Sequence, residues 1–122
     1  MAPQILILDD FKVSNEIIAG LLEEMGYKTY SCQRSHEAID LLMAKKMDVI
    51  VTDYFMPGMD GIEFIRQVRE LPGYQSIPVI FLSSTDNRDI IQNASIYNIQ
   101  AWLKKPVDIK QLTAVINKVI IQ

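Results

Sequence analysis

Val49-Ile50-Val51-Thr52-Asp53-Tyr54-Phe55-Met56-Pro57-Gly58-Met59-Asp60-Gly61 is the stretch that decides how this chain folds. Within residues 48–52, Val49-Ile50-Val51 is an apolar run with no polar alternation. Such a run reads as a strand buried on both faces. Asp is depleted in strands, so Asp53 marks the carboxyl end of the run. Pro57 and Gly58 punctuate the loop that follows. Asp60, with Glu63 three residues later, resembles a capping box for a helix over about 61–71. Its apolar positions are Ile62, Ile65, Val68 and Leu71, and Pro72-Gly73 ends it.

The same unit recurs on either side. Residues 4–8 read as a strand that runs into Asp9-Asp10. Residues 13–25 carry Ile17, Ile18, Leu21, Leu22 and Met25 at helical spacing, with Gly26 as the stop. Residues 28–32 are a less apolar strand, expected near an edge. Ser35 is placed to cap a helix over 36–46, with Ile39, Leu42 and Met43 facing inward. Residues 78–82 form a fourth strand that ends before Ser83. A helix over 87–97 carries Ile90, Ile91, Ala94 and Tyr97, and Asn98 suits the left-handed conformation at its end. Residues 101–103 form a short fifth strand before Lys105-Pro106. Asp108, with Gln111, caps a last helix to about 121.

Five strand–helix units without a linker or repeat predict one α/β domain over 1–122. The expected architecture is a parallel sheet covered by helices, with right-handed crossovers. In such sheets ligands bind beyond the carboxyl ends of the strands. Asp9, Asp10, Asp53, Ser83 and Lys105 all stand at such ends.

The chain has 122 residues, 49% apolar and 22% charged, with a formal charge of −3. That size supports a core without staples. The charge gives no pull toward nucleic acid or anionic lipid. No apolar run reaches the roughly 18 residues of a membrane span, and the amino terminus lacks the pattern of a signal peptide. Cys32 is the single cysteine, so no intramolecular disulfide or cysteine metal cluster forms. A cytoplasmic location is the expectation.

Asp9, Asp10 and Asp53 on one edge would repel one another. A hard divalent cation relieves that repulsion, and Mg²⁺ suits few carboxylates, several waters and a phosphate ligand. One carboxylate can then act as a nucleophile toward a phosphoryl group. Lys105 would hold a phosphoryl oxygen as a point charge, and Ser83 would donate a hydrogen bond to another. Taken singly, each feature has a bland reading. An Asp pair after a strand is more often a turn or cap, and Ser83-Ser84 before a helix is more often capping. The joint pattern carries the signal.

Ile7-Leu8-Asp9-Asp10, the run from Val51 to Gly61, Pro78 to Ser83 and Leu103-Lys104-Lys105-Pro106 together resemble the receiver domain of two-component response regulators, in order and spacing, over essentially the whole chain. The resemblance implies a flavodoxin-like (βα)5 three-layer sandwich with sheet order 2-1-3-4-5. It implies Asp53 as the phosphoacceptor, Asp10 as a direct Mg²⁺ (or Mn²⁺) ligand with Asp9 assisting, and the Phe55 backbone carbonyl as a further ligand. It implies Ser83 as the switch hydroxyl, Lys105 as the phosphate partner and a cis Lys105–Pro106 bond. The donor would be a histidine kinase or phosphotransfer protein, and the output a downstream protein target. The expected output face comprises the fourth helix, fifth strand and last helix, including Trp102. The chain would catalyse its own phosphorylation and autodephosphorylation without turning over an external substrate. It would be a monomer, or a dimer on phosphorylation, with no nucleic acid contact and no membrane. It reads either as a stand-alone chemotaxis-like receiver or as one cut from a larger regulator or hybrid kinase.

Some positions depart from the family pattern. Trp102 stands where Tyr or Phe is usual, so it either moves less than a Tyr would or stays outward for docking. Ile99 is expected to add an apolar contact on the face of the last helix. Phe55 is expected to shield an acyl phosphate from water; unchanged autodephosphorylation in Phe55→Asn would refute that. His36 reads as solvated and Cys32 as a small apolar residue. Two competing readings are a receiver-like scaffold that is never phosphorylated and a flavodoxin-like small-molecule binder. The second wants a Ser/Thr/Gly-rich loop after the first strand; here that loop is Asp9-Asp10-Phe11-Lys12.

Overall fold

All five expected strands form, and they lie in one parallel sheet. The computed structural model describes residues 2–55, 60–84, 91–92 and 96–121. The strands are β1 (Gln4–Leu8), β2 (Lys28–Cys32), β3 (Val49–Asp53), β4 (Val79–Ser83) and β5 (Ala101–Lys104). The helices are α1 (Lys12–Glu24), α2 (Ser35–Ala44), α3 (Gly61–Glu70) and α4 (Ile109–Ile121). Strand order is β2-β1-β3-β4-β5, the order that the resemblance implies. The expected helix over 87–97 lies largely outside the described residues; Ile91 and Gln92 are helical, and Ile96 and Tyr97 form a turn.

The three central strands are buried almost throughout, which is why they read as unbroken apolar runs. Successive side chains point to opposite faces. On one face Leu6, Leu8, Ile50 and Phe81 pack with Ala38 and Leu42 of α2 and with Phe64, Ile65 and Val68 of α3. On the other, Ile7, Val51, Ile80 and Leu82 pack with Ile18 and Leu22 of α1 and with Leu112 and Ile116 of α4. Each fully buried Leu, Ile or Phe contributes about 1.5–3 kcal/mol. β2 is an edge strand with a mixed burial pattern, as its weaker apolarity indicates.

Three local expectations are corrected. Ser35 does not cap α2: Arg34 holds the cap position without a side-chain bond, and Ser35 Oγ is buried without a partner among the described residues. As the first helical residue, Ser35 lies one step past the place from which a hydroxyl reaches the orphan amides. Met43 is 64% exposed, because the inner ridge of α2 runs through Ala38 and Leu42 and Met43 is rotated off it. Ile99 packs with the α2–α3 cluster rather than with the last helix. Other signals hold. Asp60 Oδ1 accepts from Glu63 N at 2.9 Å. Asp108 Oδ1 accepts from Lys110 N at 2.9 Å. Asn98 is left-handed at φ 62°.

Candidate functional site

The sheet ends in polar residues on one edge. Asp53 and Ser83 are the last residues of β3 and β4; Asp9 and Lys105 follow the last residues of β1 and β5. Backbone bonds continue the ladder past the strand ends and tie the loops down. Asp9 N donates to Cys32 O at 3.1 Å, Tyr54 N to Leu82 O at 3.0 Å, and Lys105 N to Ser83 O at 2.8 Å. The Lys105–Pro106 bond is cis.

These ties bring Asp9, Asp10 and Asp53 together, with carboxylate oxygens all within 4.8 Å of one another. Lys105 Nζ reaches across the edge to Asp53 Oδ2 at 3.0 Å and Asp9 Oδ2 at 3.4 Å. Two of the three carboxylates thus pair with one ammonium. Burial raises the Asp53 carboxyl above the ordinary aspartate value. The hydrogen bond and charge of Lys105 and the Phe55 amide pull it down, while the charge of Asp9 adds to the rise. Burial lowers Lys105, but its pairing with Asp53 and then Asp9 outweighs this and leaves the ammonium above its usual value.

Among the described residues, Asp10 Oδ1 is buried with no hydrogen-bond partner. An unsatisfied buried acceptor costs about 1–3 kcal/mol. A small cation with oxygen ligands would satisfy it and neutralise the cluster. The donor set therefore fits Mg²⁺ or Mn²⁺. Ser83 is fully buried, whereas Ser84 is exposed. Phe55, on the loop after Asp53, is 48% exposed beside the cluster.

Trp102 lies half-buried on the edge strand β5, and its ring points inward. It packs on Tyr54 at 5.2 Å and Phe81 at 5.1 Å between centroids. Its indole N–H is buried and has no partner among the described residues. The outward placement entertained from the sequence is not the one adopted.

Two residues escaped the sequence reading. Asn15 donates from Nδ2 to Asp9 O at 2.8 Å and Cys32 O at 3.0 Å. The available signal was a polar residue in register with Ile18 and Leu22, on the inner side of α1. Arg69 donates to the carbonyls of Tyr74, Ile77, Tyr97 and Asn98. It ties the end of α3 to the turn that leads into β5. Burial lowers its guanidinium pKa. Only its place at the end of an amphipathic helix hinted at this.

This arrangement has close counterparts among known proteins. A family model described as response regulator receiver domain matches residues 5–117. The chemotaxis protein CheY of Pseudomonas aeruginosa is 32% identical over 117 residues, covering 95% of this chain and 94% of that protein. The structure of chemotaxis response regulator CheY4 of Vibrio cholerae superposes with a TM-score of 0.90 at 25% identity, over 98% of this chain and 99% of that one. The signal receiver domain of a signal transduction histidine kinase from Syntrophus aciditrophicus superposes at 0.85 with 30% identity, covering 98% of this chain and 90% of that one. With sheet order, acidic edge and family match in agreement, the chain belongs to the response regulator receiver domain family of two-component systems.

Proposed function

We propose that this chain is a phosphoacceptor switch in which Asp53 takes a phosphoryl group from a phosphohistidine. The observation that carries the reading is the Lys105 ammonium bridging Asp53 and Asp9 inside a three-carboxylate cluster. An Asp53 oxygen attacks phosphorus, the P–N bond of the donor imidazole breaks, and its electron pair stays on the imidazole. Lys105 leaves Asp53 Oδ2 for a phosphoryl oxygen, a short move for a flexible ammonium. Ser83 donates to another phosphoryl oxygen. Mg²⁺ or Mn²⁺, held by Asp10, Asp9, Asp53 and the Phe55 carbonyl, would neutralise the carboxylates and the incoming phosphoryl oxygens.

A histidine kinase or phosphotransfer protein is the donor in this reading. An open groove of about 260 Å³ beside Lys105, lined by Ile17, Leu21, Val107 and Ile109 among others, supports docking of a protein there. Output runs through the face around β5, where Trp102 packs on Tyr54 and Phe81, toward a downstream protein. Residues 1–122 act as one cytoplasmic receiver domain that catalyses its own phosphorylation and autodephosphorylation.

The test is Trp102 fluorescence during titration with beryllofluoride, with and without Mg²⁺, in the native chain and in Asp53→Ala. A saturable, Mg²⁺-dependent change that Asp53→Ala abolishes is expected. Mass spectrometry after acetyl phosphate should place the added mass on Asp53. An unmodified Asp53 would move the reading to a scaffold that is never phosphorylated.

A further inference from the structure

We infer that Asn15 is a positioning residue for the metal loop: its side-chain amide fixes the Asp9–Asp10 peptide, so that the Asp10 carboxylate is presented to a small divalent cation. The inference rests on the reading of the aspartate cluster as a Mg²⁺ site.

Asn15 lies in the first turns of α1 and is 2% exposed. Its Nδ2 donates to Asp9 O at 2.8 Å and to Cys32 O at 3.0 Å. Cys32 O also accepts the Asp9 amide at 3.1 Å. Both backbone polar atoms of Asp9 are therefore pinned to the end of β2, one directly and one through Asn15. The Asp9 carboxylate is fixed as well, accepting from Phe11 N at 3.0 Å and facing Lys105 Nζ at 3.4 Å.

The held carbonyl belongs to the peptide that leads into Asp10. Rotation of that peptide would swing the Asp10 side chain out of the cluster. Asn15 blocks the rotation from the buried side, and Asp10 Oδ1 stays buried with no partner among the described residues, as a group awaiting a ligand would. Two N–H donors in one plane meet two carbonyls from two strand ends, a geometry that only an amide or guanidinium supplies. A guanidinium would bring a positive charge beside the site; the amide brings none.

A purely structural staple would serve stability alone. A positioning residue makes a further demand. Mg²⁺ requires near-ideal octahedral geometry, whereas Ca²⁺ accepts irregular sets of oxygens. Loosening the Asp9–Asp10 peptide should therefore weaken Mg²⁺ more than Ca²⁺. Groups that orient metal ligands typically change metal affinity by about 10–100-fold when removed.

The experiment measures Kd for Mg²⁺ and for Ca²⁺ by isothermal titration calorimetry in the native chain, Asn15→Leu and Asn15→Ala. Urea unfolding of each variant reports the fold. Leu keeps the volume and removes both donors; Ala leaves room for water, so one of the two should fold if the other does not. The expected result is a Mg²⁺ Kd raised about tenfold or more, with a smaller rise for Ca²⁺. Unchanged Mg²⁺ affinity, or equal losses for both ions, would overturn the inference and leave Asn15 a structural staple. A native chain that binds no Mg²⁺ would overturn the receiver chemistry itself, a result separate from native binding that the variants retain.

Discussion

Gly61→Ala and Gly20→Ala should move stability in opposite directions, although both put a methyl group on a helix. A Cβ at position 61 would sit 2.5 Å from Phe81 Cε1, 2.9 Å from Tyr54 Cδ2 and 3.1 Å from Phe81 Cζ. The Phe81 ring cannot retreat: it is fully buried and already packs on Tyr54 and Trp102. Overpacking of this kind costs about 1–3 kcal/mol, and the helix gain of Ala over Gly returns only about 0.5–1 kcal/mol. An overlap at 2.5 Å puts the cost at the upper end, about 2–3 kcal/mol, so the net expectation is a loss of about 1–2 kcal/mol. At this chain length that lowers the thermal midpoint by roughly 4–8 °C. Position 20 has nothing within 4 Å of the added carbon, so Gly20→Ala should gain about 0.5–1 kcal/mol. Differential scanning calorimetry measures both changes. Trp102 emission should also shift in Gly61→Ala, because the displaced rings touch the indole. A Gly61→Ala variant as stable as the native chain, beside a stabilised Gly20→Ala, would refute the claim that the aromatic cluster leaves no space above α3.

Other outcomes follow from the same geometry. Mg²⁺ affinity should weaken on acidification at a pH above the ordinary aspartate value of 3.8, because burial raises Asp53; Mg²⁺ titrations across pH check this. The sign for stability is opposite: Asp53 holds its proton more tightly when folded, so the metal-free protein should lose stability as pH rises from 3.8 to the folded value. Arg69→Met should cost about 2–4 kcal/mol in urea unfolding, since it leaves partly buried carbonyls without their donor. Arg69→Lys should recover only part of that loss, because an ammonium lacks the planar fork. Trp102→Phe removes the unpartnered indole N–H while keeping a ring, so its unfolding free energy from urea titration should stay within about 1 kcal/mol of native; a larger loss would mean that the N–H is satisfied in solution.

The sheet was legible because burial on both faces leaves unbroken runs such as Val49 to Thr52, and because each run stops at a polar residue. The acidic cluster was legible for the same reason, since residues at strand ends share an edge whatever their distance along the chain. Ser35 and Met43 misled because helix phase turns on a single residue, and propensity does not fix where a helix begins. Asn15 and Arg69 were hidden for another reason. Their partners are backbone carbonyls, which every residue carries, so no partner side chain marks the contact. The inward packing of Trp102 rests on Tyr54 and Phe81, ring contacts between neighbouring strand ends that spacing does not encode.

Among the described residues, the sheet divides the apolar interior into two half-cores that share strands but have no side chain in common. Neighbours such as Phe81 and Leu82 belong to different halves. A repacking beneath α1 and α4 is thus insulated from one beneath α2 and α3. Surfaces on the two sides can be tailored to different proteins by separate mutations, with nearly additive effects. The carboxyl edge of the strands is the exception, because a shift of Asp53 or Lys105 moves backbone common to both sides. In the proposed phosphoryl transfer, a change at that edge would reach both halves at once.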